Sequence, residues 1–96
     1  MSRPPNIVFI GKKPILTYVN ATLTLLANEP TVTIKARGKS MTTAVDVSQM
    51  IVKRMHAMGY KISGVRIFSE RMESKDGRER NVSTIEVDVS RTHDSL

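Results

Sequence analysis

The chain contains no cysteine and no tryptophan, and its only aromatic residues are two Tyr and two Phe in 96 residues. Without cysteine there is no disulfide framework, no thiolate metal site and no cysteine nucleophile, a composition that fits a reducing compartment. So few rings do not make the interleaved aromatic platform on which unpaired bases stack, which directs any contact with nucleic acid to its backbone. Histidine is confined to His56 and His93. Neither sits at a spacing that pairs it with carboxylates as metal ligand or acid/base partner, so neither catalysis nor a metal or cofactor is expected. No apolar run approaches the ~18 residues of a membrane span. The opening Met1-Ser2-Arg3-Pro4-Pro5-Asn6 lacks the apolar stretch and small-residue cleavage site of a leader. Neither export nor membrane insertion is expected, which leaves the cytoplasm.

What is present in excess is positive charge. Fifteen Lys+Arg stand against nine Asp+Glu, a formal net charge of +6. The excess is uneven. Residues 1–40 hold six Lys+Arg and one acid, Glu29, whereas residues 41–96 hold nine Lys+Arg and eight acids, a split of +5 against +1. Concentrated basic charge is the electrostatic footprint of a polyanion partner, and nucleic acid is the usual one. With 40% apolar residues a chain of this size forms one domain, residues 1–96, that buries roughly 60 to 70% of its unfolded surface.

Along the chain, Asn6-Ile7-Val8-Phe9-Ile10 is a short apolar run closed by Gly11, the mark of an interior strand. Pro14 then suits the first position of a helix whose one-sided stripe is Ile15, Val19, Thr22, Leu23 and Leu26. Pro30 ends it, because the residue before a proline is driven out of helical geometry. Thr31 to Arg37 alternates, with Val32, Ile34 and Ala36 on one face and Thr31, Thr33, Lys35 and Arg37 on the other. That second strand is expected to show a basic face. Ser40 or a neighbouring threonine is placed to cap a second helix running to about Met58, with Val47, Met50, Ile51, the stem of Arg54 and Met58 on its buried side and Gly59 as terminator. Two further alternating segments, Lys61 to Met72 and Asn81 to Ser90, flank the turn signal Asp76-Gly77. They predict a polar hairpin arm over about 70–82, followed by a patternless tail from 91 to 96.

The order is βαβαββ, an α+β two-layer sandwich of mixed sheet and helices, with one sheet face left open. Two loops carry the excess cations. Gly11-Lys12-Lys13-Pro14 and Gly38-Lys39-Ser40 both lie between a strand end and a helix start. If the two strands are parallel neighbours, the loops leave one edge and Lys12, Lys13, Arg37 and Lys39 cluster; otherwise they are two independent solvated loops. Gly38-Lys39-Ser40 is not a nucleotide-hydrolysing phosphate loop, because that pattern needs a glycine at position 33, which here is Thr33. In the hairpin, Arg71, Lys75, Arg78 and Arg80 are offset by Glu70, Glu73, Asp76 and Glu79. Single arginines on such a ribbon suit a narrow minor groove.

Three segments in order, Asn6 to Pro14, Ile34-Lys35-Ala36-Arg37-Gly38-Lys39, and Asp76-Gly77-Arg78 with Val82-Ser83-Thr84-Ile85-Glu86-Val87, resemble the Alba family of small basic chromatin and RNA-binding proteins of archaea and their eukaryotic relatives. The resemblance implies a fold like the C-terminal domain of bacterial translation initiation factor three. It also implies a homodimer, or a heterodimer with a paralogue, that binds double-stranded DNA and RNA with little sequence preference and condenses DNA on the chromosome, in the nucleoid. By position it makes Lys12 and Lys13 the central phosphate contacts, Asn6, Tyr18, Arg37 and Lys39 supporting contacts, and Arg78 and Arg80 arm contacts. It also makes Lys12 a site of acetylation. Where relatives carry a basic residue before the Val-Ser-Thr-Ile-Glu stretch this chain has Asn81, and where they place a phenylalanine for contact between dimers it has Met55. The alternative within the same chemistry is an RNA chaperone or ribonucleoprotein subunit.

Overall fold

Val32, Ile34 and Ala36 alternate so cleanly with polar residues that the strand they define is committed to burying one face, and everything else packs on it. In the computed structural model, which describes residues 6–55 and 58–91, this strand, β2 (Thr31–Arg37), pairs in parallel with β1 (Ile7–Phe9), Val8 opposite Ile34. Its other edge pairs antiparallel with β4 (Glu79–Arg91), Ile34 opposite Val87. Outermost lies β3 (Tyr60–Glu73), antiparallel to β4, giving the order β1-β2-β4-β3. The expected βαβαββ order and mixed sheet are what the chain forms.

Helix α1 (Ile15–Leu26) buries Tyr18, Val19, Thr22 and Leu26. Pro14 is the residue before its first turn, extended at ψ 147°, rather than part of that turn. After β2, Gly38 takes φ +57°, a conformation open to glycine, and the chain makes one 3-10 turn, Gly38–Ser40, directly into α2 (Met41–Arg54). Ser40 occupies the cap position but its side chain makes no capping bond. Both helices cover one sheet face, closing a core of Val8, Val19, Leu26, Val32, Ile34, Val47, Ile51, Val87 and Val89 with their buried neighbours.

Helix α2 stops short of the expected Met58. Its buried stripe is Ala44, Val47, Ser48 and Ile51; one turn further on, Met55 packs against the core only partly buried and leaves helical geometry at φ −105°, ψ 25°. Arg54 is exposed and Met58 is 58% exposed, so neither belongs to the buried side. Gly59 still reverses the chain, at φ +80°. The histidines His56 and His93, and the tail from 92 onward, lie outside the described residues.

Strands β3 and β4 stay paired to Glu73 opposite Glu79. The five residues between close in a turn, with Gly77 at φ +83° and the amide of Ser74 donating to the carbonyl of Arg78 at 2.8 Å. The arm expected over about 70–82 is thus an ordered ribbon. It stretches the molecule to 54 Å along its longest axis and raises the radius of gyration to 14.5 Å, against about 12.5 Å for a compact chain of this length.

Removing the last buried side chain of α2 tests where the helix ends. Ile51→Ala should cost about 2–5 kcal/mol by cavity formation, and Met58→Ala no more than about 0.5 kcal/mol, measured as urea denaturation midpoints. Equal losses would place Met58 in the core.

Candidate nucleic-acid interface

The open sheet face is not the basic surface that β2 alone implies. Lys35 lies 3.3 Å from Glu86 and 3.9 Å from Glu70, and Arg37 donates to Glu70 at 2.7 Å. Arg66 donates to Glu86 at 2.8 Å and, through both terminal nitrogens, to Asp88 at 2.9 Å. Three cations meet three carboxylates, so the centre of the face is neutral; Lys61, opposite Ser90 at the other end of the sheet, is an exposed cation of this face outside the set. The hydroxyls of Thr33 and Thr84 complete it, donating to Asp88 at 2.7 Å and Glu70 at 2.8 Å. A Cβ at Gly64 would come within 2.9 Å of the Asp88 carboxylate, so that glycine is what lets Asp88 lie flat against Arg66. The Lys35 ammonium also lies 6.0 Å from the ring centre of Phe9 and 5.9 Å from that of Phe68, within cation–π reach.

These contacts set the acidities. The hydrogen bonds from Arg37 and then Thr84 hold the Glu70 carboxyl down to about 2. Arg66 lowers both Glu86 and Asp88, helped by Lys35 at the first and Thr33 at the second. The guanidinium of Arg37 is in turn raised by its bond to Glu70.

With the centre of the sheet face neutralised, a group of cations remains together at the end of the sheet where β1 and β2 finish. Because β1 and β2 are parallel neighbours, the loop carrying Lys12 and Lys13 and the 3-10 turn carrying Lys39 emerge at one edge of the sheet. Lys12, Lys13 and Lys39 are all exposed, and among the described residues none of the three takes part in an ion pair. The arm folds toward this edge. An open groove of about 410 Å³ between arm and turn is lined by Arg37, Lys39 and Arg80 together with the acid Glu73, with Met72 and Val82 at its apolar side. Arg80 therefore joins Arg37 and Lys39, although 41 residues separate it from Lys39 in sequence (80 − 39).

The other candidates fall elsewhere. Asn6 is a structural tie, its side-chain amide donating to the carbonyl of Thr31 at 3.0 Å. Tyr18 is 6% exposed, and its hydroxyl accepts from the amides of Gly11 at 2.8 Å and Lys13 at 2.9 Å. It supports the loop from beneath. Arg78 stands at the tip of the arm, 3.8 Å from Asp76 and highly exposed. Met55 packs partly buried against the core. Among the described residues no group of acids and histidines is arranged to hold a metal ion, and no helix is long and apolar enough to cross a membrane.

Comparison with known proteins agrees with this fold. The family model for Alba matches residues 6–69. A protein of Nitrosopumilus maritimus (strain SCM1), described as DNA/RNA-binding protein Alba, is 56% identical over 84 residues, 88% of each chain. Among solved structures, Alba from Thermoplasma volcanium superposes with a TM-score of 0.77 at 39% identity, over 90% of this chain and 100% of the other. ALBA1 from Trypanosoma brucei does so with a TM-score of 0.70 at 26% identity, over 94% and 72% respectively.

The ion pairs of the open face make stability acid-sensitive in a defined direction. A carboxyl whose pKa is lower folded than unfolded contributes stability that is complete above its unfolded value and is lost as pH falls through the folded one. Urea midpoints should therefore hold steady down to about pH 5, where free carboxylates begin to protonate, and decline toward the Glu70 value of about 2. Glu70→Gln should flatten part of that decline. A stability that rises on acidification would contradict the arrangement.

Proposed function

The chain belongs to the Alba family, and from that premise we propose that it is a non-enzymatic, sequence-nonspecific nucleic-acid-binding protein that coats and compacts double-stranded DNA as a dimer and also binds RNA. The observation that carries the reading is the separation of charge. Lys35, Arg37 and Arg66, the cations at the centre of the open face, are each matched by a carboxylate, while Lys12, Lys13 and Lys39 carry no ion pair and gather at a single edge beside the groove that holds Arg80. Unpaired lysines at a sheet edge bind phosphates through charge and release of counterions, with no dependence on base identity. The near relative's name, DNA/RNA-binding protein Alba, points the same way.

The arm and the dimer extend the contact. Val65 is 56% and Ile67 72% exposed on the side of β3 that faces the helix layer. An edge strand with that much apolar surface fits a second copy of the chain. Two copies would present two lysine loops and two arms, each arm carrying Arg80 at the groove and Arg78 at its tip toward the minor groove. Met55 stands where the family resemblance puts the contact between dimers, and its partial burial against the core makes that contact weak. Acetylation of Lys12 would remove one phosphate contact per chain. The place of work is then the chromosome, within the cytoplasm.

Binding of a random-sequence DNA duplex, followed by fluorescence anisotropy across a range of salt, tests loop and dimer together. Each neutralised phosphate contributes roughly −0.9 to the slope of log K against log salt. Lys12→Ala/Lys13→Ala should flatten the slope by about 3.6 if two chains act together and by about 1.8 if one does. An unchanged slope would remove the loop from the interface. Tight binding of an RNA duplex beside weak binding of the DNA duplex would favour the RNA-chaperone role.

A further inference from the structure

The loop that carries the two lysines is held in an unusual way. It spans from the end of β1 to Pro14, and among the described residues the only hydrogen bonds made by residues 11–13 are the two to the Tyr18 hydroxyl. Those bonds flank Lys12: one comes from the amide before it and one from the amide after it. The acceptor is itself immobile, because the Tyr18 ring belongs to the core on the first turn of α1 and is buried. Gly11 is fitted to the same contact, since a Cβ there would lie 3.2 Å from the hydroxyl oxygen. The lysine side chains point to solvent while their backbone is fixed from inside the core.

Resting on the reading of Lys12 and Lys13 as phosphate contacts, we propose that Tyr18 is the positioning residue of the interface: its buried hydroxyl latches the lysine loop through the amides of Gly11 and Lys13, and it touches no phosphate. A loop ordered before binding does not lose that freedom when the polyanion arrives, so the latch raises affinity without adding charge. This separates Tyr18 from the lysines in a measurable way. Loss of a lysine lowers both affinity and salt slope, whereas loss of the latch lowers affinity and leaves the slope alone.

The test is Tyr18→Phe, which keeps the ring in the core and deletes the acceptor. Binding of a random-sequence DNA duplex at fixed salt should weaken about 3- to 10-fold, the scale of one or two modest hydrogen bonds, with the salt slope of wild type. Amide exchange at Gly11 and Lys13 should accelerate. In the Lys12→Ala/Lys13→Ala background the same substitution should have no further effect on binding, because the latch acts only through those side chains. An equal loss in both backgrounds would show that Tyr18 acts elsewhere, and undiminished binding with fast-exchanging amides would show that loop order is irrelevant; either overturns the proposal. If Tyr18→Phe melts early, amide exchange in the wild-type protein keeps the proposal testable: Gly11 and Lys13 should exchange more slowly than Lys12, and exchange as fast as that of Lys12 overturns it. Wild-type protein that binds neither DNA nor RNA would instead overturn the proposed function, and the latch with it.

Discussion

Because β1 runs parallel to β2, with Val8 opposite Ile34, the chain leaves both strands at the same end of the sheet and must return across it by a helix each time. Parallel neighbours joined in this way put the segments that follow them on one edge. Here those segments are Gly11–Pro14 and Gly38–Ser40, and between them they hold Lys12, Lys13 and Lys39. Had β1 paired antiparallel, the lysine pair would sit at the opposite end of the molecule from Lys39 and the groove.

The second constraint is electrostatic and acts by subtraction. A chain with a net charge of +6 could present its cations anywhere, and β2 alone would make the open sheet face basic. Instead Glu86 and Asp88 on β4, and Glu70 on β3, face Lys35, Arg37 and Arg66 in register. The centre of the face becomes neutral, which weakens it as a surface for polyanions, while the edge gathers three lysines that no carboxylate compensates. The same pairs join three strands through their side chains. Glu70 has a place in both functions, since it fastens the base of the arm to β2 and holds Arg37 beside the groove.

Much of this was legible in the sequence because it depends on local period and local turn chemistry. The alternation from Thr31 to Arg37, the stripe of α1 and the Asp76-Gly77 turn each specify their element within a few residues. The resemblance carried by Lys12-Lys13, Arg37-Gly38-Lys39 and Asp76-Gly77-Arg78 extended that to family and fold. What the sequence did not disclose is whatever depends on distant partners. α2 ends at Arg54, where its fully buried stripe has given out after Ile51 and Met55 is only partly covered, short of the next glycine. The pairing of Lys35 and Arg37 joins residues 33 to 51 positions apart; outward-facing Glu86 and Asp88 on β4 were the available signal, since outward acids opposite outward bases on a neighbouring strand pair across it. Tyr18 read as a contact by position; its burial, with two loop amides on its hydroxyl, is a feature that spacing alone does not reveal.

The central claim is that polyanions meet this protein at the edge built by the two loops and the groove, and not on the sheet face. Backbone amide chemical shifts followed while a random-sequence DNA duplex is added would test it directly. The account predicts shifts concentrated at Gly11 to Lys13, Gly38 to Ser40 and Arg78 to Arg80, with Lys35, Arg66, Glu86 and Asp88 unmoved. Shifts centred on those four residues, with the lysine loop unchanged, would contradict it.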